Sequence, residues 1–104
     1  MAITQSLLTK VKKSIRITHT ALDEDIADSI RAALSDLAMC GIAPEKLDPS
    51  QELDPLILNA VKMYCKKDYT DDTAKAARYQ EGYDALKASL MMAEGYRAEV
   101  GADE

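Results

Sequence analysis

Residues 54–66 read DPLILNAVKMYCK, the segment of this chain that is most informative about its architecture. Asp54 is placed to cap a helix whose first position is a proline, where that residue is well tolerated. Apolar side chains then cover more than half of the helix circumference, and only Asn59, Lys62 and Lys66 form a narrow polar stripe. A helix that is apolar over so much of its surface packs on several sides. We therefore expect it at the centre of an all-α domain.

A short amphipathic helix is predicted over about residues 4–15. At roughly 100° per residue, its apolar side chains fall within one arc and its basic side chains lie on the other side. The apolar residues are Leu7, Leu8, Val11 and Ile15, and the basic residues are Lys10, Lys12, Lys13 and Arg16. The β-branched residues of the following segment, 17–20, favour an extended link.

A second helix is predicted over about residues 21–39. Thr20 is placed to cap its start, with Asp23 at the N3 position of an arrangement that resembles a capping box. The three acids that begin at Asp23 put negative charge at the positive end of the helix dipole. At the other end, Gly41 followed by Ile42 is typical of a helix stop with its hydrophobic contact.

The second half of the chain contains a loop and a fourth helix. Residues 42–54 carry two prolines and several charges, which predicts a loop with one helical turn near residues 45–47. The fourth helix begins at Asp71 and Asp72 and runs to about residue 93. Its apolar stripe repeats at helical spacing and consists of Tyr79, Tyr83, Leu86 and Leu90. Gly82 borders this stripe, which indicates the close approach of another backbone.

These elements predict an all-α fold, a small bundle of about four helices with a central, largely buried third helix. At 104 residues, the chain has room for one modest core. The helical domain is expected to span residues 1–93, and residues 94–104 a flexible acidic tail. The main core positions are predicted to be Ile26, Ile30, Leu37, Ile57, Val61, Tyr64, Tyr83 and Leu86.

The net charge of −5 hides an asymmetry along the chain. Residues 1–20 carry 4 of the 13 basic residues and no acid, whereas residues 21–104 carry the other 9 against all 18 acids. An overall acidic protein is a poor candidate for wrapping nucleic acid. The basic end is better suited to the acidic body of another copy, a contact that sets orientation more than affinity.

A candidate subunit interface follows from this charge asymmetry. It comprises Lys10, Lys12, Lys13 and Arg16 on one side and Asp23, Glu24 and Asp25 on the other. The alternative interpretation is that the basic residues are only the solvated face of an amphipathic helix and that the acids only cap one. Contact of the basic face with nucleic-acid phosphates is a further alternative.

No catalytic, cofactor or metal site is predicted. His19 is the only histidine, so a two-histidine metal site or a histidine-based triad lacks its partners. The acids that begin at Asp23 lack the glycine and the distal glutamate of a calcium loop. Cys40 and Cys65 are expected to be buried thiols, since neither belongs to a CxxC motif. We expect no enzymatic activity, no cofactor and no membrane segment or secretion signal.

Three landmarks carry a resemblance to a known family. They are Arg-Ile-Thr-His at 16–19, the Asp-Pro helix start at 54–55, and Tyr79 followed by Tyr-Asp-Ala-Leu at 83–86. With the hydrophobic spacing between about Leu7 and Leu90, they make the chain resemble the small head–tail connector (adaptor) proteins of tailed bacteriophages and prophages. These proteins are often labelled DNA-packaging proteins.

The resemblance implies a structural protein whose function is expressed in an oligomer. Proteins of this family look like helical bundles that form a ring of roughly twelve copies under the portal, extending the DNA channel toward the tail. It also implies contacts with the portal and with head-completion and tail proteins, and a place in the virion after synthesis in the host cytoplasm. Tyr96 and Arg97 are the candidate contacts with the portal or a neighbouring copy. No sequence-specific binding of nucleic acid and no membrane contact are expected.

The alternative function is a small helical nucleic-acid-binding protein, either a helix-turn-helix regulator or a terminase small subunit. That geometry needs a short turn between the second and third helices, and the connection at 42–54 is too long for it. A helical adaptor with a single protein partner outside phages is a third possibility.

Overall fold

The computed structural model describes residues 3–97, which form four α-helices and one short 3₁₀ turn. These are α1 (Gln5–Ser14), α2 (Asp23–Met39), α3 (Pro55–Asp68) and α4 (Thr73–Met92), with the 3₁₀ turn at Pro44–Lys46 between α2 and α3. The prediction of an all-α bundle of four helices is confirmed. Each helix begins and ends within about two residues of its predicted bounds.

Helix α3 lies at the centre of the fold and contacts all three other helices. Asp54 caps its start by accepting the N–H of Leu56 at 2.8 Å, and Pro55 occupies the first helical position, as predicted. Ile57, Val61 and two smaller residues of α3 are fully buried. Leu56 is the exception to the predicted apolar girth, since 45% of it stays exposed.

The hydrophobic core joins α3 to the apolar faces of the other helices. Most of the predicted core positions are buried, namely Ile26, Ile30, Leu37, Ile57, Val61 and Tyr83. The two exceptions are Tyr64 and Leu86, which are half-buried and pack against the core from its edge. The Tyr64 ring meets the Tyr83 ring edge-on, with 5.3 Å between their centroids, a favourable aromatic geometry.

Helices α1 and α2 end in the same backbone motif. At the end of α2, Gly41 has a φ of +95° and the N–H of Ile42 donates to the carbonyl of Leu37, which is the predicted glycine stop. At the end of α1, Arg16 takes the position of that glycine, with a φ of +60°, and the N–H of Ile17 donates to the carbonyl of Lys12. An L-residue with a side chain is strained in this left-handed conformation by about 1 kcal/mol.

The predicted N-cap of α2 is wrong. The helix begins at Asp23, and its N-cap position is occupied by Leu22, which has no capping side chain. The backbone explains the shift, because the N–H of Asp23 donates to the carbonyl of Thr20 in a turn that precedes the helix. Thr20 therefore does not cap α2. The acids of the first turn act through the helix dipole instead.

Gly82 is close to a side chain rather than to the backbone that the sequence suggested. A β-carbon at this position would lie 3.4 Å from the sulfur of Met63, which belongs to α3. The glycine thus lets the thioether of α3 lie directly against α4. Methionine suits this place because its flexible side chain fills irregular gaps.

The first residues after α4 pack against the body of the domain. The N–H of Ala43 donates to the carbonyl of Tyr96 at 2.8 Å, and Ile42 pairs with Arg97 in an isolated antiparallel bridge. Residues 94–97, predicted as part of a flexible tail, are therefore held against the loop between α2 and α3. Residues 98–104 of that predicted tail lie outside the described residues.

Candidate subunit interface

The basic face of α1 is divided by the fold. Lys10, Lys13 and Arg16 are exposed. Lys12 instead places its ammonium 2.7 Å from Oδ1 of Asp23, and these side chains are only 11% and 28% exposed. That oxygen is shielded from solvent and receives no directed hydrogen bond, so the two groups attract each other as point charges. Two residues of the predicted interface are thus occupied within one chain, where they tie α1 to α2.

Arg16 lies at a basic groove that the sequence did not predict. The groove has a volume of about 280 Å³ and lies where α1 ends, α3 ends and α4 begins. Its cations are Arg16, Lys66 and Lys75, and Tyr69, Thr70 and Tyr79 also line it. The ammonium of Lys66 lies 5.6 Å from the centroid of the Tyr79 ring, which helps to hold it over the groove.

Tyr69, which lines this groove, follows Asp68 directly in the chain. Burial raises the pKa of the Tyr69 hydroxyl, and the negative charges of Asp25 and Asp68 raise it further. Asp25 and Asp68 lie at the end of the molecule where α2 begins and α3 ends, and Ser29 of α2 donates to the carboxylate of Asp68 there. The groove is a local basic patch on an acidic chain.

The exposed acids at the start of α2 form a second surface, which we call the acidic edge. It consists of Glu24 and Asp28, which are one turn apart on the side of α2 opposite the buried Ile26 and Ile30. Asp28 meets Arg31 at 3.0 Å, but these side chains are 74% and 51% exposed. Exposed pairs of this kind contribute little. Asp25 is also exposed.

The hydroxyl and the ring of Tyr96 both have partners within its own chain. Its hydroxyl donates to Oδ2 of Asp54 at 2.9 Å, and the Lys46 ammonium lies 5.2 Å from its ring centroid. Burial opposes ionisation of Asp54, yet the hydrogen bonds from Leu56 N–H and Tyr96 hold the pKa of this carboxyl below its usual value. Arg97 is exposed. Tyr96 and Arg97 are the two predicted contacts with the portal or a neighbour. Tyr96 anchors the segment after α4 to the body, and this segment leaves Arg97 exposed.

Comparison with known proteins bears on what these surfaces do. The family model described as "Phage connector protein" matches residues 7–97, which include α2, α3, α4 and most of α1. The chain belongs to this phage connector family. The resemblance noted in the sequence is thereby confirmed. No curated protein and no solved structure matches the connector.

The alternative built on a helix-turn-helix is not supported by the connector's geometry. Residues 40–54 separate α2 from α3, and this segment contains the 3₁₀ turn. A helix-turn-helix joins its two helices by a turn of about three or four residues. The tyrosine stripe of α4 likewise contributes Tyr83 to the core rather than a platform for bases.

The polar side chains of residues 3–97 bear on whether the connector could bind a metal ion or act as an enzyme. Within this range, no group of three or more His, Cys, Asp and Glu side chains is placed to hold a metal ion. His19 is exposed in the link before α2. The absence of enzymatic activity and of a cofactor stays a prediction. None of the helices in this range combines the length and apolar character needed to cross a membrane.

We expect the two thiols of the connector to react at very different rates. Cys65 is fully buried in α3, and burial, followed by the charge of Asp68, raises the pKa of its thiol to about 12. Cys40 is half-buried at the end of α2. A maleimide should therefore modify Cys40 first and reach Cys65 only on unfolding, which slows it by about 1,000-fold or more. Mass spectrometry of timed samples measures this difference, and equal rates in native protein would contradict the placement of Cys65.

Proposed function

We propose that this connector is a structural subunit of a ring at the head–tail junction of a tailed phage or prophage. The ring comprises roughly twelve copies, lies below the portal, contacts head-completion or tail proteins, and lets the packaged DNA pass. The observation that carries the proposal is the family match over residues 7–97. The proposed location is the virion, and the proposed role involves no catalysis and no cofactor.

The surface charges support assembly from identical copies. Different parts of one chain carry exposed cations, among them Arg16 and Lys75, and exposed acids such as Glu24 and Asp25. Two unlike patches on one subunit allow a head-to-tail contact, which closes into a ring when the rotation between copies permits. The net charge of −5 also opposes adhesion of DNA to the channel wall.

The proposal is tested on phage heads that carry the portal but lack the connector. We expect purified wild-type protein to bind these heads saturably and to appear as a symmetric ring below the portal by electron cryomicroscopy. Light scattering of the isolated protein across a concentration series shows whether the ring also forms without the portal. Heads that lack the portal are the control. Binding to both kinds of head alike, or to neither, would contradict the proposed function.

A further inference from the structure

One residue of the basic groove, Arg16, has a strained backbone conformation, and its position in the backbone gives no reason for an arginine there. Arg16 holds the left-handed place at the end of α1, where a glycine would be free of strain. The corresponding place at the end of α2 is occupied by Gly41. Backbone strain of this kind points to a function for the side chain that is present. Here the side chain is a guanidinium at the mouth of a groove that also holds Lys66 and Lys75.

We propose that this groove receives the acidic edge, Glu24 and Asp28, of a neighbouring copy. The inference rests on the proposed ring and specifies its contact. It places the basic side of the interface on three elements, at Arg16, Lys66 and Lys75, rather than along the face of α1 that carries Lys10 and Lys13. Arginine can hold a carboxylate with two parallel hydrogen bonds, so Arg16 gives this contact its geometry.

The two surfaces lie at the same end of the subunit. Lys12 near the end of α1 pairs with Asp23 at the start of α2, and Ser29 of α2 donates to Asp68 at the end of α3. The groove and the acidic edge are thus at similar height along the bundle, and no residue of α2 lines the groove. A head-to-tail contact between two such surfaces gives a ring when the rotation between copies closes and a filament when it does not.

The charges favour a short acidic segment over DNA as the occupant. The groove offers three cations, while Asp25 and Asp68 lie at the same end of the subunit, where α2 begins and α3 ends. Duplex DNA carries a charge about every 1.7 Å, and its field reaches those carboxylates and the rest of an acidic chain. Two carboxylates one helical turn apart carry no more negative charge than the three cations of the groove can neutralise. The acidic edge of α2 has this arrangement.

The first test separates assembly from folding by replacing Arg16→Gly. The variant loses the guanidinium and also relieves the left-handed strain, so its melting temperature should stay unchanged or rise. Its affinity for portal-bearing heads should nevertheless fall, by about fivefold at low salt. An unchanged affinity would overturn the inference, because Arg16 would then have no role in the contact.

The second test exchanges the charges of the two surfaces. Lys66→Glu with Lys75→Glu, and separately Glu24→Lys with Asp28→Lys, should each weaken assembly on portal-bearing heads by about tenfold or more at low salt. The variant that combines all four changes should recover most of the loss, because opposite charges face each other again. The matched control is Lys10→Glu with Lys13→Glu, which reverses two exposed cations outside the groove and should behave like wild type.

The outcomes distinguish the inference from the function on which it rests. If wild type assembles but the combined variant does not recover, or if the control loses as much as the groove variant, the contact lies elsewhere and the inference fails alone. If wild type does not bind portal-bearing heads, both fail. Salt-sensitive binding of duplex DNA that disappears with Lys66→Glu and Lys75→Glu would assign the groove to phosphates and also overturn it.

Discussion

Replacing Ile57 by aspartate is expected to unfold the connector. Ile57 is fully buried in α3, the helix that contacts all the others. The introduced carboxylate would either be buried as an unpaired charge or force the surrounding helices apart to become hydrated. Either route costs about 5 kcal/mol or more. That is comparable with the whole free energy of unfolding of a small domain, about 5–15 kcal/mol.

The neighbouring residue provides the matched control for this experiment. Leu56 is 45% exposed and lies in the first turn of α3. Leu56→Asp adds the same charge at a hydrated site, near the positive end of the helix dipole, so the variant should fold like wild type. Far-UV circular dichroism with thermal melting measures both proteins. Full helicity and an unchanged melting temperature in Ile57→Asp would show that α3 is not the centre of the core.

The sequence predicted the helices because their determinants are local. The apolar girth of α3 and the cap at Asp54 are both read from consecutive residues, and both are present in the structure. The stop at Gly41 was equally readable, since glycine is the usual residue in a left-handed position. The same motif at the end of α1 gave no such signal, because Arg16 occupies it. Its role depends on hydrogen bonds that the residue type does not reveal.

The contacts that Lys12, Asp23 and Tyr96 make within the chain were not readable from the sequence for a different reason. The sequence divides into a basic beginning and an acidic remainder, and that division does not say whether opposite charges meet within a chain or between chains. Lys12 and Asp23 meet within the chain, because the turn between α1 and α2 folds the two helix ends together. The sequence likewise does not reveal that Tyr96 packs against the body and is not part of a flexible tail. Its partners, Asp54 and Lys46, are distant from it in the sequence.

The basic groove has no signature in the sequence, because its cations come from the ends of separate helices. The sequence places Lys66 only in the polar stripe of α3, and it indicates no role for Lys75. They join Arg16 because three helix ends converge at one end of the bundle. A charge cluster assembled from separate elements has no period and no motif. Only the packing of α1 and α4 against α3 brings it together.

A second large effect on stability is expected from the hydrogen bonds that join Asp36 of α2 to Tyr83 and Lys87 of α4. Asp36 accepts the hydroxyl of Tyr83 at 2.6 Å and the ammonium of Lys87 at 3.1 Å. The bond from Tyr83, and then the charge and bond of Lys87, hold the pKa of Asp36 below its usual value, although burial opposes them. Tyr83→Phe keeps the buried ring but removes the strongest of these contacts. Because Asp36 is partly exposed, water replaces some of it, and we expect a loss of about 1–2 kcal/mol at neutral pH.

The pH dependence of stability tests this assignment of the Tyr83 hydroxyl. A carboxyl whose pKa is lower in the folded state stabilises the fold above its unfolded pKa of about 3.9, and this contribution is lost as the pH falls through the folded value. Wild type should therefore lose stability as the pH falls below about 5, and Tyr83→Phe should lose less over the same range. The control is Tyr64→Phe, since the Tyr64 hydroxyl has no hydrogen-bond partner among residues 3–97, yet its ring packs against Tyr83. Urea unfolding at a series of pH values measures all three proteins. Equal acid sensitivity in Tyr83→Phe and wild type would mean that the hydroxyl of Tyr83 does not stabilise the Asp36 carboxylate.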